Sequence, residues 1–128
     1  MIKRIDSKKA PSAAGPYSQA LKAGNFVFCS GQIGLDPKTN LLINGGIEKE
    51  TEQTLKNLHE ILKSAKLNFK DVVKVEIFIT DMKNFPKVND IYATFFASNP
   101  KPARQTIGIA SLPKGASIEI SCIAYCER

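Results

Sequence analysis

The segment VVKVEIFIT at 72–80 most narrows what this chain can fold into, because its residues alternate in polarity and two helical patterns flank it. A period of two places Val73, Val75, Ile77 and Ile79 on one side of a strand and Lys74 and Glu76 on the other; Val72 and Phe78 fall on that second side too. Before it, Ile47, Leu55, Leu58, Ile61, Leu62 and Ala65 form an apolar stripe that predicts a helix over 47–66. Glu48, Glu50 and Glu52 stand in its first turns, where negative charge favours the positive end of the helix dipole. His59 is expected beside the stripe, at the boundary with solvent. After the strand, Phe85, Val88, Tyr92, Phe95 and Phe96 predict a second helix over 84–98, ended by SNPKP.

Two more strands follow, about 103–110 and 117–125, joined by ASLPKGA, and GNFVFCS at 24–30 reads as an earlier one. DPKTN at 36–40 and NGG at 44–46 are turn signals. Strands, helix, strand, helix, strand, strand is an α+β order, with both helices laid on one face of a mixed sheet. The last strand then has Ile118, Ile120, Cys122 and Ala124 on its covered face and Glu119, Ser121, Ile123 and Tyr125 on the other. That second face is neither polar nor apolar, and self-association through it is expected.

At 128 residues the chain is expected to form one domain. No apolar run approaches the roughly 18 residues of a membrane helix, and the basic MIKRIDSKKAPSAAGP has no apolar h-region, so a cytoplasmic protein with no membrane partner is expected. The net charge of +6 is spread along the chain rather than gathered into a nucleic-acid footprint. Three cysteines make no disulfide framework. Cys122 and Cys126, four apart on a strand, are separated by roughly 13 Å, and Cys29 reads as packing. With one histidine, a zinc site lacks candidates, and no metal is expected.

Two charges interrupt the strand patterns: Arg104, which opens RQTIGI, and Glu119, between Ile118 and Ile120. Arg104 and Thr106 point to one side of their strand, Gln105 and Ile107 to the other. If 103–110 and 117–125 are neighbours, Arg104 and Glu119 lie near one cleft. A salt bridge across the sheet is one reading, although desolvation offsets much of a buried pair's attraction. The other is a site for a small carboxylate: a guanidinium grips a carboxylate in two places, and a glutamate in apolar surroundings has its pKa raised toward acid–base use.

GPYSQA at 15–20, SGQIG at 30–34, VNDIY at 88–92, PARQTI at 102–107 and IEI at 118–120 stand in the order found in the RidA family (YjgF/YER057c/UK114), which the chain resembles from about residue 10 to 125. The resemblance implies a single RidA-like domain over 1–128, with a chorismate-mutase-like α+β fold, assembled as a homotrimer with sites in clefts between subunits. It implies cofactor-free hydrolysis of 2-imino or enamino acids, such as 2-iminobutanoate and 2-iminopropanoate, to 2-keto acids and ammonia. These are intermediates released by pyridoxal-phosphate dehydratases. By resemblance Arg104 holds the substrate carboxylate, Glu119 positions and activates water or shuttles its protons, and Tyr17, Ser30, Gly31, Asn89 and Thr106 line the pocket. Gln105 stands where the family more often has a small residue, and Thr106 where several members carry cysteine.

Two alternatives remain from the sequence. One is an endoribonuclease or translation inhibitor, although KAGNFVF at 22–28 lacks the full RNA-recognition pattern and no second histidine exists, so nucleic acid is not expected as a partner. The other is a non-catalytic ligand-binding or chaperone-like module using the same clefts.

Overall fold

Six strands and two helices build the molecule, a computed structural model in which residues 1–127 are described. The elements run β1 (Ile2–Ile5), β2 (Ala20–Ala23), β3 (Phe26–Gln32), α1 (Gly46–Ser64), β4 (Val72–Ile79), α2 (Phe85–Phe95), β5 (Ala103–Gly108) and β6 (Ile118–Tyr125). They form one mixed sheet in the order β1-β2-β3-β6-β4-β5. Only β4 and β5 are parallel, so the chain between them must cross a sheet face, which α2 does.

The stripe on α1 is buried as its spacing requires: Leu55, Leu58, Ile61 and Leu62 are inaccessible to solvent. They pack with Val88, Tyr92 and Phe96 of the α2 region onto Val27, Val75, Ile77, Ile79, Ile118, Ile120 and Ala124, so both helices cover the same sheet face. α1 stops two residues before the predicted end because Lys66 takes a positive φ of 61°, and Leu67 N–H returns to Leu62 O at 2.9 Å. Leu67 thereby enters the core. α2 ends at Phe95, with Phe96 N–H donating to Tyr92 O.

The alternation of 72–80 breaks at its first residue. Register against β6 slips between Val72 and Lys74, so Val72 is buried and Val73 is 43% exposed, the reverse of the simple period-two assignment. A bulge adds one residue to one strand of a pair, which reverses the facing of everything before it. From Val75 onward the assignment holds.

The last two strands are not neighbours, so the condition for Arg104 and Glu119 to share a cleft within one chain is not met. β4 lies between β5 and β6. The uncovered face is mixed, as expected: Phe26, Phe28 and Tyr125 stand exposed beside Lys74, Glu76 and Ser121. Gln105 donates to Glu76 there at 2.8 Å, pointing away from Arg104's side.

Asn57 ties α1 to the end of β3. Its Nδ2 donates to Ile33 O (3.0 Å) and Leu35 O (2.9 Å), and the residue is 1% exposed. Asn57→Ala orphans both carbonyls, and denaturant unfolding should show a loss of about 2–4 kcal/mol.

Candidate functional site

Arg104 leaves β5 on the helix side, because it pairs with Val75 and Val75 faces the core. Three groups from one side of α2 receive it. Asn89 Oδ1 accepts from Nη1 at 2.8 Å, and the guanidinium carbon lies 4.7 Å from the Tyr92 ring centre and 5.5 Å from that of Phe85. These residues stand at i, i+4 and i+7 on the helix, a spacing that puts them on one face. Cation–π contact and a hydrogen bond hold the guanidinium without a carboxylate partner among the described residues. Burial pushes the Tyr92 hydroxyl up to about 12, with Arg104 acting against the rise. An open cleft beside them is lined by Asn89, Tyr92, Phe96, Lys101, Pro102 and Arg104. Thr106, two residues along, faces the same way, and its Oγ1 is buried with no partner among the described residues.

Glu119 points to the opposite face, because Ile118 and Ile120 on either side of it fill the core. It lines a cavity of about 120 Å³ with Tyr17, Gly31, Gln19 and Lys114, room enough for ordered water. Burial raises its pKa from the ordinary glutamate value. The contact with Gly31 is close: a Cβ built there would lie 2.7 Å from Glu119 Cδ and Oε2. Register between β3 and β6 shifts between Cys29 and Gln32, and Gly31 sits in that irregularity. Ser30 serves this half indirectly, its Oγ donating to Ser18 O at 2.6 Å and its N–H to Gln19 O at 2.9 Å. Gln19 is buried and pins the N-terminal segment through Ser7 and Pro11. Tyr17 is 52% exposed at the rim, its hydroxyl accepting from Ala14 N–H at 3.3 Å.

The predicted residues therefore form two groups. Arg104, Asn89 and Thr106 lie together on the helix side of β5; Tyr17, Ser30, Gly31 and Glu119 lie together where β3 and β6 lose register. Along β4, Arg104 is opposite Val75 and Glu119 opposite Phe78, which separates their Cα atoms by roughly 14 Å with the sheet between their side chains. The expected shared cleft within one chain and the salt-bridge reading both fail on this topology. Sequence reasoning took Phe85 and Tyr92 for core alone, although their spacing from Asn89 marked them as its neighbours. Among the described residues no three His, Cys, Asp or Glu side chains gather as a metal site. No helix among them is long and apolar enough to cross a membrane.

Residues 7–126 match the family model described as endoribonuclease L-PSP. The chain belongs to this family, the YjgF/RidA family. A RutC family protein of Pyrococcus horikoshii is 46% identical over 123 residues, 96% of this chain and 97% of that one. The mouse protein named 2-iminobutanoate/2-iminopropanoate deaminase is 47% identical over 95% of this chain and 90% of its own length. The crystal structure of the Rid-family protein YyfA from Yersinia pestis superposes with a TM-score of 0.95 at 45% identity, covering 98% of this chain and 99% of that one. The six-stranded sheet with two helices is thus the fold of Rid-family structures.

The Gly31 contact gives a direct check on the placement of Glu119. In Gly31→Ala the new methyl displaces the carboxyl group, and the carbon-13 resonance of the Glu119 carboxyl should shift while the melting temperature changes little. Carboxyl NMR beside a thermal melt measures both.

Proposed function

We propose that the protein hydrolyses 2-imino and enamino acids, of the 2-iminobutanoate and 2-iminopropanoate class, to 2-keto acids and ammonia. The observation that carries this reading is the division of the site: a prearranged guanidinium on one face, and a half-buried carboxyl beside a cavity with room for water on the other. A relative 47% identical bears the name of that activity. In an imino acid the carboxylate and the imine carbon are adjacent atoms, so groups roughly 14 Å apart across a sheet cannot both reach one substrate. The reading therefore requires a second copy to bring its Glu119 to the first copy's Arg104.

Where two unlike patches meet without reciprocating, the contact is heterologous, and it closes as a ring or runs on as a filament. A homotrimer in a chorismate-mutase-like arrangement supplies the smallest ring beyond a pair. The exposed apolar residues Phe26, Phe28 and Tyr125 give its subunits surface to bury.

In the assembled cleft, Arg104 binds the carboxylate with the N–H groups that Asn89 leaves unengaged, and the protonated imine carbon is turned toward the neighbouring copy. Glu119 takes a proton from water as the water oxygen bonds to that carbon, and the C=N π electrons move to nitrogen. The same carboxyl returns the proton to the amine, the C–N bond breaks with its electron pair leaving on ammonia, and the hydroxyl proton passes to the again ionised Glu119 as the keto group forms; Glu119 then releases it to solvent. Water is consumed and ammonia released. The imine carbon is already electrophilic, so orientation and one proton relay are what the protein adds, and no cofactor enters the scheme. Thr106 Oγ1 is buried without a partner among the described residues, and the scheme places no demand on a thiol at that position.

The test uses a threonine dehydratase to generate 2-iminobutanoate in the presence of semicarbazide, which competes for the imine. Wild type should divert it to keto acid, and Arg104→Ala and Glu119→Ala should each be inactive. Unfolded together and refolded as a mixture, the two variants should recover roughly a quarter of wild-type activity, because some clefts then receive one intact half from each. No turnover by wild type overturns the deaminase reading; inactive mixtures overturn the shared site.

Glu119 must be ionised to take the water proton, so kcat/KM should fall as pH drops through a midpoint above that of an ordinary glutamate. Glu119→Gln should abolish that acidic limb in whatever rate remains. A midpoint at or below the ordinary value would contradict the assignment.

A further inference from the structure

Glu50 is a glutamate in the first turns of α1 with 6% of its surface exposed, and it has no part in the scheme above. Its Oε2 accepts from Ser117 N–H at 2.5 Å and from Ile118 N–H at 3.3 Å. The need for this carboxylate comes from the sheet. β3 and β6 pair from Phe26 and Tyr125 as far as Cys29 and Cys122, then slip, and Gln32 with Ile120 is their last match. Residues 117–119 therefore have β4 on one side, through Thr80 N–H to Ser117 O, Ile79 opposite Ile118 and Phe78 opposite Glu119. No strand among the described residues lies on their other side. Buried backbone N–H groups without an acceptor are costly, so a strand end left bare by its neighbour frays unless something replaces that neighbour. Gly34 lets α1 come close enough to do so, since a Cβ there would lie 2.9 Å from Glu50 Cγ and from Glu50 O.

We propose that Glu50 is a positioning residue for the reaction: its carboxylate substitutes for the missing third strand, anchors Ser117 and Ile118, and so fixes Glu119 against Gly31. This rests on the deaminase reading and adds to it a residue that touches neither substrate nor water. Arg104 belongs to the other half of the site, so loosening Glu119 should slow the chemical step without weakening the grip on the substrate carboxylate.

The experiment compares Glu50→Gln, which keeps one side-chain oxygen at the same reach, with Glu50→Leu, which keeps bulk and removes the acceptor. Both are assayed well below their melting temperatures. Glu50→Leu should lose roughly 10–100-fold in kcat with KM within about twofold, and Glu50→Gln should stay within about threefold of wild type. The carbon-13 resonance of the Glu119 carboxyl, followed in the unliganded proteins at one pH, should move or broaden in Glu50→Leu and stay in place in Glu50→Gln. A folded Glu50→Leu with wild-type kcat, or an unmoved resonance, overturns the proposal. If Glu50→Leu does not fold, Glu50→Asp, one methylene short, carries the same comparison. Should wild type itself turn over no imino acid, the deaminase reading fails, and the resonance alone still decides whether Glu50 places Glu119.

Discussion

The period of two along a strand governs this molecule more than any single contact. Two helices cover one face of the sheet, so every second residue of the central strands must be apolar and the rest are left for other work. That rule sends Arg104 toward α2 and Glu119 away from it, and no change of rotamer carries a side chain through a sheet. The division of the candidate site between two faces is a consequence of parity. Arg104 is on β5, opposite core-facing Val75, while Glu119 falls between two core isoleucines.

Two departures from regular pairing supply what parity alone does not. Where β3 slips against β6, Gly31 comes against Glu119, and the covered alternation passes from Cys29 to Gln32. Where β4 slips, Val72 instead of Val73 enters the core. Bulges of this kind re-aim side chains and end pairing. The first of them leaves a strand end that Glu50 then supports from α1. Helix, bulge and carboxyl form a chain of dependence that reaches from the start of α1 to the rim of the cavity.

How much of this the sequence disclosed follows from how local each feature is. The stripe on α1, the alternation from Val75 to Ile79, and the opposed facing of Arg104 and Gln105 are written in residues a few positions apart, and all were legible. The order of strands was not, since placing β4 between β5 and β6 depends on contacts across the chain. Glu50 was read with Glu48 and Glu52 as a charge suited to the helix dipole, and the three look alike in sequence. What turns Glu50 inward is the backbone of Ser117, 67 residues away. Phe85 and Tyr92 carried a usable signal in their spacing from Asn89, but an aromatic residue on an apolar stripe reads first as core. Tyr92 is indeed buried, and it is also the ring beneath the guanidinium.

On the proposed reading, the way Arg104 is held bears on why one arginine suffices to orient a small anion. An arginine free in solvent gives up much side-chain freedom when it binds, and that loss is subtracted from the affinity. Here the Tyr92 and Phe85 rings and Asn89 restrict the guanidinium before any ligand arrives, with no carboxylate among the described residues to neutralise it. A buried salt bridge would have ordered the side chain too, but the substrate would then have to displace its partner. Aromatic faces order the cation and leave its charge available. On the proposed reading the same logic extends to Glu119, which lies close against Gly31 and has no ion-pair partner among the described residues. Within one copy the sheet keeps Arg104 and Glu119 from pairing with each other, so neither is neutralised by the other there.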